Sequence, residues 1–393
     1  MKISPDIFEN TEVAFAAKSN TELYKAQALF SIMANNALVN TGSALAQFAL
    51  GLHLPVSPIF KWTIYGQFCG GETFDECKRT IAKLDESHVG VLLNYGVELK
   101  ETDEDFDTTL AKNMEALEFA GKNRSVKALC VKLTGYGRFA LFEKIQQNEK
   151  LDGEEKKEFE KVKKRFAKIC SVADKQDVPL YVDAEESWIQ DTLDDMVEEM
   201  MAKHNQQRCI VFNTFQLYRH DRLAYLQQQI DKAKAGGYLL GAKLVRGAYM
   251  EKERARAKEM SYPSPIHKNK KAVDKDFDAA VSLCLDNLSD VYVCIASQSE
   301  ESNLLAIEQA EKKKIGHSND RVIFSQLYGM GDGITFNLAK LGFNATKYLP
   351  YGPVKDVIPY LLRRADENTS VAGQTTRELD LINKEIKRRK RNR

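Results

Sequence analysis

The sequence predicts an α/β protein: a (β/α)8 barrel of the TIM type preceded by an N-terminal helical arm. Two observations carry this reading. From residue 86 onward, eight short β-rich runs alternate with polar, amphipathic segments. The runs are continuously apolar, as suits parallel strands covered on both faces. An open doubly wound sheet is the structural alternative, and a count of eight favours closure.

Residues 1–85 lack the alternation and read as mostly helical, an arm ahead of a barrel spanning 86–370. The β-rich runs are "HVGVLLNY" (88–95), "KALCVKLTG" (127–135), "VPLYVDAEE" (178–186), "RCIVFNTFQL" (208–217), "YLLGAKLVRGAY" (238–249), "DVYVCIASQS" (290–299), "RVIFSQLYGMG" (321–331) and "ATKYLPYG" (345–352). Segments such as "EEKKEFEKVKKRFAKIC" (154–170) and "NLLAIEQAEKKK" (303–314) supply the helices between them. Residues 371–393 form a basic C-terminal tail. Its end, "KEIKRRKRNR" (384–393), reads as a frayed, solvated segment, with weak adhesion to anionic lipid as the alternative.

Bulk properties exclude several classes. The chain has 393 residues, 43% hydrophobic and 29% charged, enough for a large core. A net charge of +1 gives no signal for nucleic acid. The seven cysteines show neither CxxC pairing nor zinc spacing, so free buried thiols are expected and no metal site. The first twenty residues carry Asp6, Glu9 and Glu12 and lack the order of a signal peptide or presequence. The run "ALAQFALGLHLPV" (44–56) is too short to span a bilayer. A cytoplasmic location is the expectation, with peripheral contact on the inner face of the cytoplasmic membrane through the arm and tail.

In a barrel, the C-terminal ends of the strands build the active site. Reading those ends gives Lys132, Asp183, Gln216, Lys243, Arg246, Tyr249, Gln298, Leu327 and Tyr348. Buried charges such as Lys132 and Asp183 need partners, either in a site or in one ion pair plugging the barrel. After the last strand, Gly352-Pro353 opens a helix that Pro359 should kink. On it, Tyr360, Arg363, Arg364 and Glu367 are spaced to share one side. Adjacent arginines lie about 100° apart, and their stems can converge on one anion. The spacing leaves two readings open: that anion site, or an Arg363–Glu367 surface pair worth ~0.5 kcal/mol. "GMGDG" (329–333) lacks the GxGxxG spacing and reads as a tight βα turn.

The stretch "YLPYGPVKDVIPYLLRRADEN" (348–368) resembles the C-terminal signature of proline dehydrogenases. So do "FCGGETFDEC" (68–77), "VKLTG" (131–135), "VDAEES" (182–187), "TFQLYRHD" (214–221), "AKLVRGAYMEKERARAKEMSYPSPI" (242–266) and "LYGMGDGI" (327–334). The match runs in order from about residue 60 to 370 and looks closest to the stand-alone, eukaryotic-type members. No second, aldehyde dehydrogenase domain is visible.

The resemblance implies a distorted (β/α)8 barrel binding FAD at its strand ends. The implied reaction oxidises L-proline to Δ1-pyrroline-5-carboxylate by hydride transfer to flavin N5, with electrons passing on to a membrane quinone. By motif, the catalytic set is Lys132, Asp183, Tyr348, Arg363 and Arg364. Arg363, Arg364 and Lys132 are expected to clamp the proline carboxylate, and Asp183 to orient Lys132. Tyr348, Tyr360, Tyr249, Ala248 and Leu327 are expected to wall the ring. The intact Tyr348 favours proline over hydroxyproline. No dedicated base for the amine stands out.

For FAD, Gln216 is expected at the isoalloxazine edge, Lys243 near N5, Arg246 toward the pyrophosphate and Lys270 on the adenine side. Val245 and Gly247 are expected to allow close backbone approach, and Ala184 and Glu367 to line the cofactor. One departure from the family stands at Ser297-Gln298-Ser299, where relatives commonly read "THN" or "SHN". Gln298 can hydrogen-bond the cofactor but cannot carry charge.

Overall fold

Each apolar run forms a strand shorter than the run itself: β1 (Gly90–Tyr95), β2 (Val126–Val131), β3 (Leu180–Val182), β4 (Val211–Gln216), β5 (Leu240–Val245), β6 (Val291–Ala296), β7 (Val322–Leu327) and β8 (Ala345–Tyr351). The strands close into a barrel in sequence order. The registers recorded from β2 to β7 are all parallel. All residues of β4 and β8 are buried, which is why no polar alternation marks them in the sequence. This computed structural model describes residues 5–35, 61–96, 101–358, 360–361 and 374–392.

The chain divides into two compact units. One contains residues 92–95 and 99–325, with β2 to β6. Its longest helix, Gly153–Gln176, begins at a capping box in which Asp152 accepts from the Glu154 and Glu155 amides. Val162, Phe166, Ile169, Cys170 and Ala173 recur every three or four residues and form its buried stripe. Asp177, in the left-handed conformation (φ 55°), ends it. Within this unit Lys243 of β5 is level with Thr214 of β4 and Cys294 of β6.

The other unit contains residues 1–91, 96–98 and 326–393, with β8. Helix Asn20–Met33 starts at a capping box between Ser19 and Glu22. Helix Gln374–Arg391 packs against it. The expected frayed tail is therefore a correction: residues 384–391 are helical. The cause is packing. Leu381, Ile382 and Ile386 are buried, and the completely buried Glu385 carboxylate accepts from Arg388 and Arg389. Arg389 also donates to the Phe15 and Lys18 carbonyls, each at 2.8 Å.

All seven cysteines are free and buried, and burial raises their thiols above the ordinary value. Among the described residues, no helix is long and apolar enough to cross a membrane. The apolar run 44–56 lies outside the described residues.

Candidate active site

Two residues anchor the strand-end chemistry of the unit that holds β2 to β6. Asp183 follows β3, its amide still donating to Val131 of β2 at 2.8 Å. Its carboxylate accepts a 2.6 Å hydrogen bond from Lys243 Nζ. Burial alone would lower the Lys243 ammonium, but the charge of Asp183 raises it above its ordinary value, so the pair is ionic. Lys132, immediately after β2, lies with Nζ 6.0 Å from the centroid of the Tyr249 ring, a cation–π distance.

Sequence reasoning did not single out Glu185 as a candidate. Its side chain is buried and accepts from the Thr134 amide (3.2 Å) and hydroxyl (2.6 Å). Burial pushes its carboxyl up to about 7, against the opposing charge of Lys132 and with the help of Glu186. The Glu185 carbonyl accepts from Gln216 Nε2 at 2.7 Å. A carboxylate directly after Asp183-Ala184, at the end of an apolar strand, was the available signal. Ala184 between them is buried.

A second cluster joins Arg246 to the β6 end. Its guanidinium donates to Asp274 (2.9 Å), Ser297 (2.6 Å) and Ser302 (2.9 Å) and stacks on Phe277, 4.4 Å from the ring centroid. Lys270 Nζ reaches the same Asp274 at 2.5 Å, so Arg246 and Lys270 meet on one carboxylate. Gln298 lies beside this cluster in sequence. Its amide nitrogen and oxygen are both buried and without a hydrogen-bond partner. Val245, Ala248 and Tyr249 are half-buried. Gly247 has φ +133°, and a Cβ there would fall 2.6 Å from the Tyr218 ring, so glycine is required by that ring.

In the unit that holds β8, Tyr348 and Tyr360 are buried, and Tyr328 N donates to the Tyr348 carbonyl at 2.9 Å, just past Leu327. Strand alternation points Lys347 away from the face of Tyr348. Lys347 is 1% exposed and pairs with Asp332 at 2.8 Å. It also donates to the Met330 carbonyl. Lys18 takes the other Asp332 oxygen at 2.9 Å, and Glu378 accepts from Gly331 N at 2.5 Å. "GMGDG" is the tight turn expected: Gly329 and Gly331 have φ +83° and +62°, and Gly331 caps helix Asp332–Lys340. Helical residues 354–358 follow Gly352-Pro353. Pro359, Arg363, Arg364 and Glu367 lie outside the described residues.

The proline dehydrogenase family model matches residues 77–377. Proline dehydrogenase 1, mitochondrial, of Dictyostelium discoideum is 29% identical over 97% of this chain and 74% of that protein. Hydroxyproline dehydrogenase of Xenopus laevis is 28% identical over 95% and 88%. The proline utilization A structure from Bdellovibrio bacteriovorus, inactivated by N-propargylglycine, matches in fold with a TM-score of 0.71 at 18% identity. That match covers 93% of this chain and 37% of the longer one. The barrel and the length of the family match together make this chain a member of the proline dehydrogenase family, a family of oxidoreductases.

Proposed function

We propose that this chain is an FAD-dependent dehydrogenase that oxidises L-proline to Δ1-pyrroline-5-carboxylate, the first step of proline catabolism. The observation that carries the reading is the strand-end cation Lys132 set against Tyr249, in a chain of this family. A carboxylate and a small apolar ring are what an ammonium beside an aromatic wall can hold.

The residues fit a flavin. Gln298 presents a buried amide whose nitrogen and oxygen have no protein partner, as an edge of hydrogen-bonding groups would require. Gln216 uses its Nε2 on Glu185, leaving its carbonyl oxygen to accept from the cofactor. Arg246 and Lys270, held on Asp274, supply positive charge toward phosphate. Lys243, Ala184, Val245, Gly247 and Glu367 complete the proposed cofactor set. When bound, FAD supplies the hydride acceptor.

In this reading Lys132, Arg363 and Arg364 hold the substrate carboxylate, and Ala248, Tyr249, Leu327, Tyr348 and Tyr360 enclose the ring. Asp183 accepts from Lys243 and belongs to the same catalytic set. The amine loses its proton to water before hydride leaves, because a positive nitrogen cannot push electrons into the forming C=N bond. Electrons go on to a membrane quinone, reached by peripheral contact with the lipid surface.

The test is colour. Purified protein should be yellow, and anaerobic L-proline should bleach it. Protein that takes up no FAD would sink the proposal. Similarity to a hydroxyproline dehydrogenase favours one second reading. Bleaching by hydroxyproline and not by proline would select it.

A further inference from the structure

The unit that holds β8 contains a cavity of about 200 Å³. Four lysines line it (Lys18, Lys25, Lys83 and Lys347) against two carboxylates, Glu22 and Asp332. The carboxylates are already engaged. Lys83 lies 2.7 Å from Glu22, while Lys18 and Lys347 share Asp332. Burial opposes ionisation of both acids. Lys83 and Ser19 nevertheless hold Glu22 down to about 2, and Lys18 and Lys347 do the same for Asp332, to about 2. Both acids are anionic at neutral pH, so the lining carries an excess of positive charge.

Lys25 embodies the excess. Its ammonium lies 4.8 Å from the centroid of the Trp62 ring and has no carboxylate partner among the described residues. Trp62 is 69% exposed, which sets Lys25 at the cavity mouth. Gly66 leaves the approach open: a Cβ there would meet Lys25 Nζ at 3.6 Å and the Lys61 carbonyl at 2.9 Å. A partly desolvated surplus of ammonium groups is costly alone and favourable around a counter-anion. The volume is below the roughly 300–1,000 Å³ of pockets that hold drug-sized ligands.

We propose that this cavity is a binding site for a small doubly charged anion, inorganic phosphate or a short dicarboxylate, held by Lys25 at the mouth with Lys18 and Lys83. The site is separate from the strand-end cations Lys132 and Lys243, none of which lines it.

Calorimetric titration of the full chain at constant ionic strength tests this, with inorganic phosphate and succinate as separate probes. Saturable one-to-one binding of either is expected, and the tighter probe names the source. Lys25→Met should weaken it about tenfold or more, the scale of one charge-assisted contact. Lys25→Arg should keep it, and Lys132→Met should leave it unchanged. Proline turnover in Lys25→Met should match the parent, which also shows that the variant folds. The proposal fails if neither probe saturates, if Lys25→Met binds like the parent, or if Lys132→Met is the variant that loses binding.

Discussion

Lys243 and Asp183 form a 2.6 Å ion pair that ties the middle of β5 to the end of β3, with both side chains largely buried. Neither position is intelligible alone. Burial in the middle of an apolar strand would by itself lower the Lys243 ammonium, and the charge of Asp183 raises it instead.

Lys243→Met should therefore destabilise the fold by roughly 3–5 kcal/mol, since it strands a largely buried carboxylate. Urea unfolding of Lys243→Met, Asp183→Asn and the double variant measures the coupling. The double variant should lose less than the two single losses added, by more than about 1 kcal/mol. Strict additivity would mean the pair contributes nothing.

Asp332 is shared by two lysines of unequal exposure. Lys347 is 1% exposed and Lys18 is 21% exposed at the side chain, at nearly equal distances. Lys347→Met should cost on the order of 2–4 kcal/mol and Lys18→Met distinctly less, because solvent screens the outer charge. Denaturation midpoints in the reverse order would contradict this ranking.

Glu378 gives a pH dependence. Burial, and after it the charge of Asp332, pushes its carboxyl up to about 7, with Lys347, Lys18 and the Gly331 amide pulling the other way. Between its ordinary value of 4.5 and about 7, the unfolded chain releases the proton while the folded chain keeps it. The group's contribution to stability thus falls as pH rises through that window and is flat above it. Glu378→Gln keeps the acceptor for Gly331 without this loss. Its stability relative to the parent should rise by on the order of 1–3 kcal/mol from about pH 4.5 to about pH 8. A pH-independent difference would show that Glu378 does not titrate in this range.

Glu253 acts as a cap supplied from elsewhere in the chain. Completely buried, it accepts from Ser187 N at 2.7 Å and Ser187 Oγ at 2.6 Å, at the first residue of helix Ser187–His204. Glu253→Ala should cost about 1–3 kcal/mol and Glu253→Gln less, since one acceptor remains. Hydrogen exchange in the first helical turn, around Trp188, should accelerate in the alanine variant. Unchanged exchange there would assign the cost to some other contact.

The strands were legible because a parallel strand covered on both faces leaves an unbroken apolar run. Their ends were less so: the run 178–186 shrinks to the three residues Leu180–Val182, since the turn after it is also buried. Asp183 and Lys243 could be named as candidate site residues from strand position, but their pairing could not, because barrel register is not written in spacing. The cluster of Lys18, Asp332, Lys347 and Glu378 escaped for the same reason. Lys347 did carry a signal, a charge inside "ATKYLPY", which by the burial rule applied to Lys132 demanded a partner. The C-terminal helix had its stripe in Leu381, Ile382 and Ile386, outweighed in reading by the arginines around it.

The bonds from Arg389 to the carbonyls of Phe15 and Lys18 span more than 370 positions of chain. Contacts of such sequence separation form late, after the intervening loop entropy has been overcome. The unit that holds β8 accordingly cannot finish assembling on the ribosome while residue 389 is still inside the exit tunnel. The β2 to β6 unit draws its ladders from residues 126–325 and places no such demand on residue 389. Until residue 389 emerges, helix Asn20–Met33 lacks its partner, and its buried face is the surface a chaperone would meet.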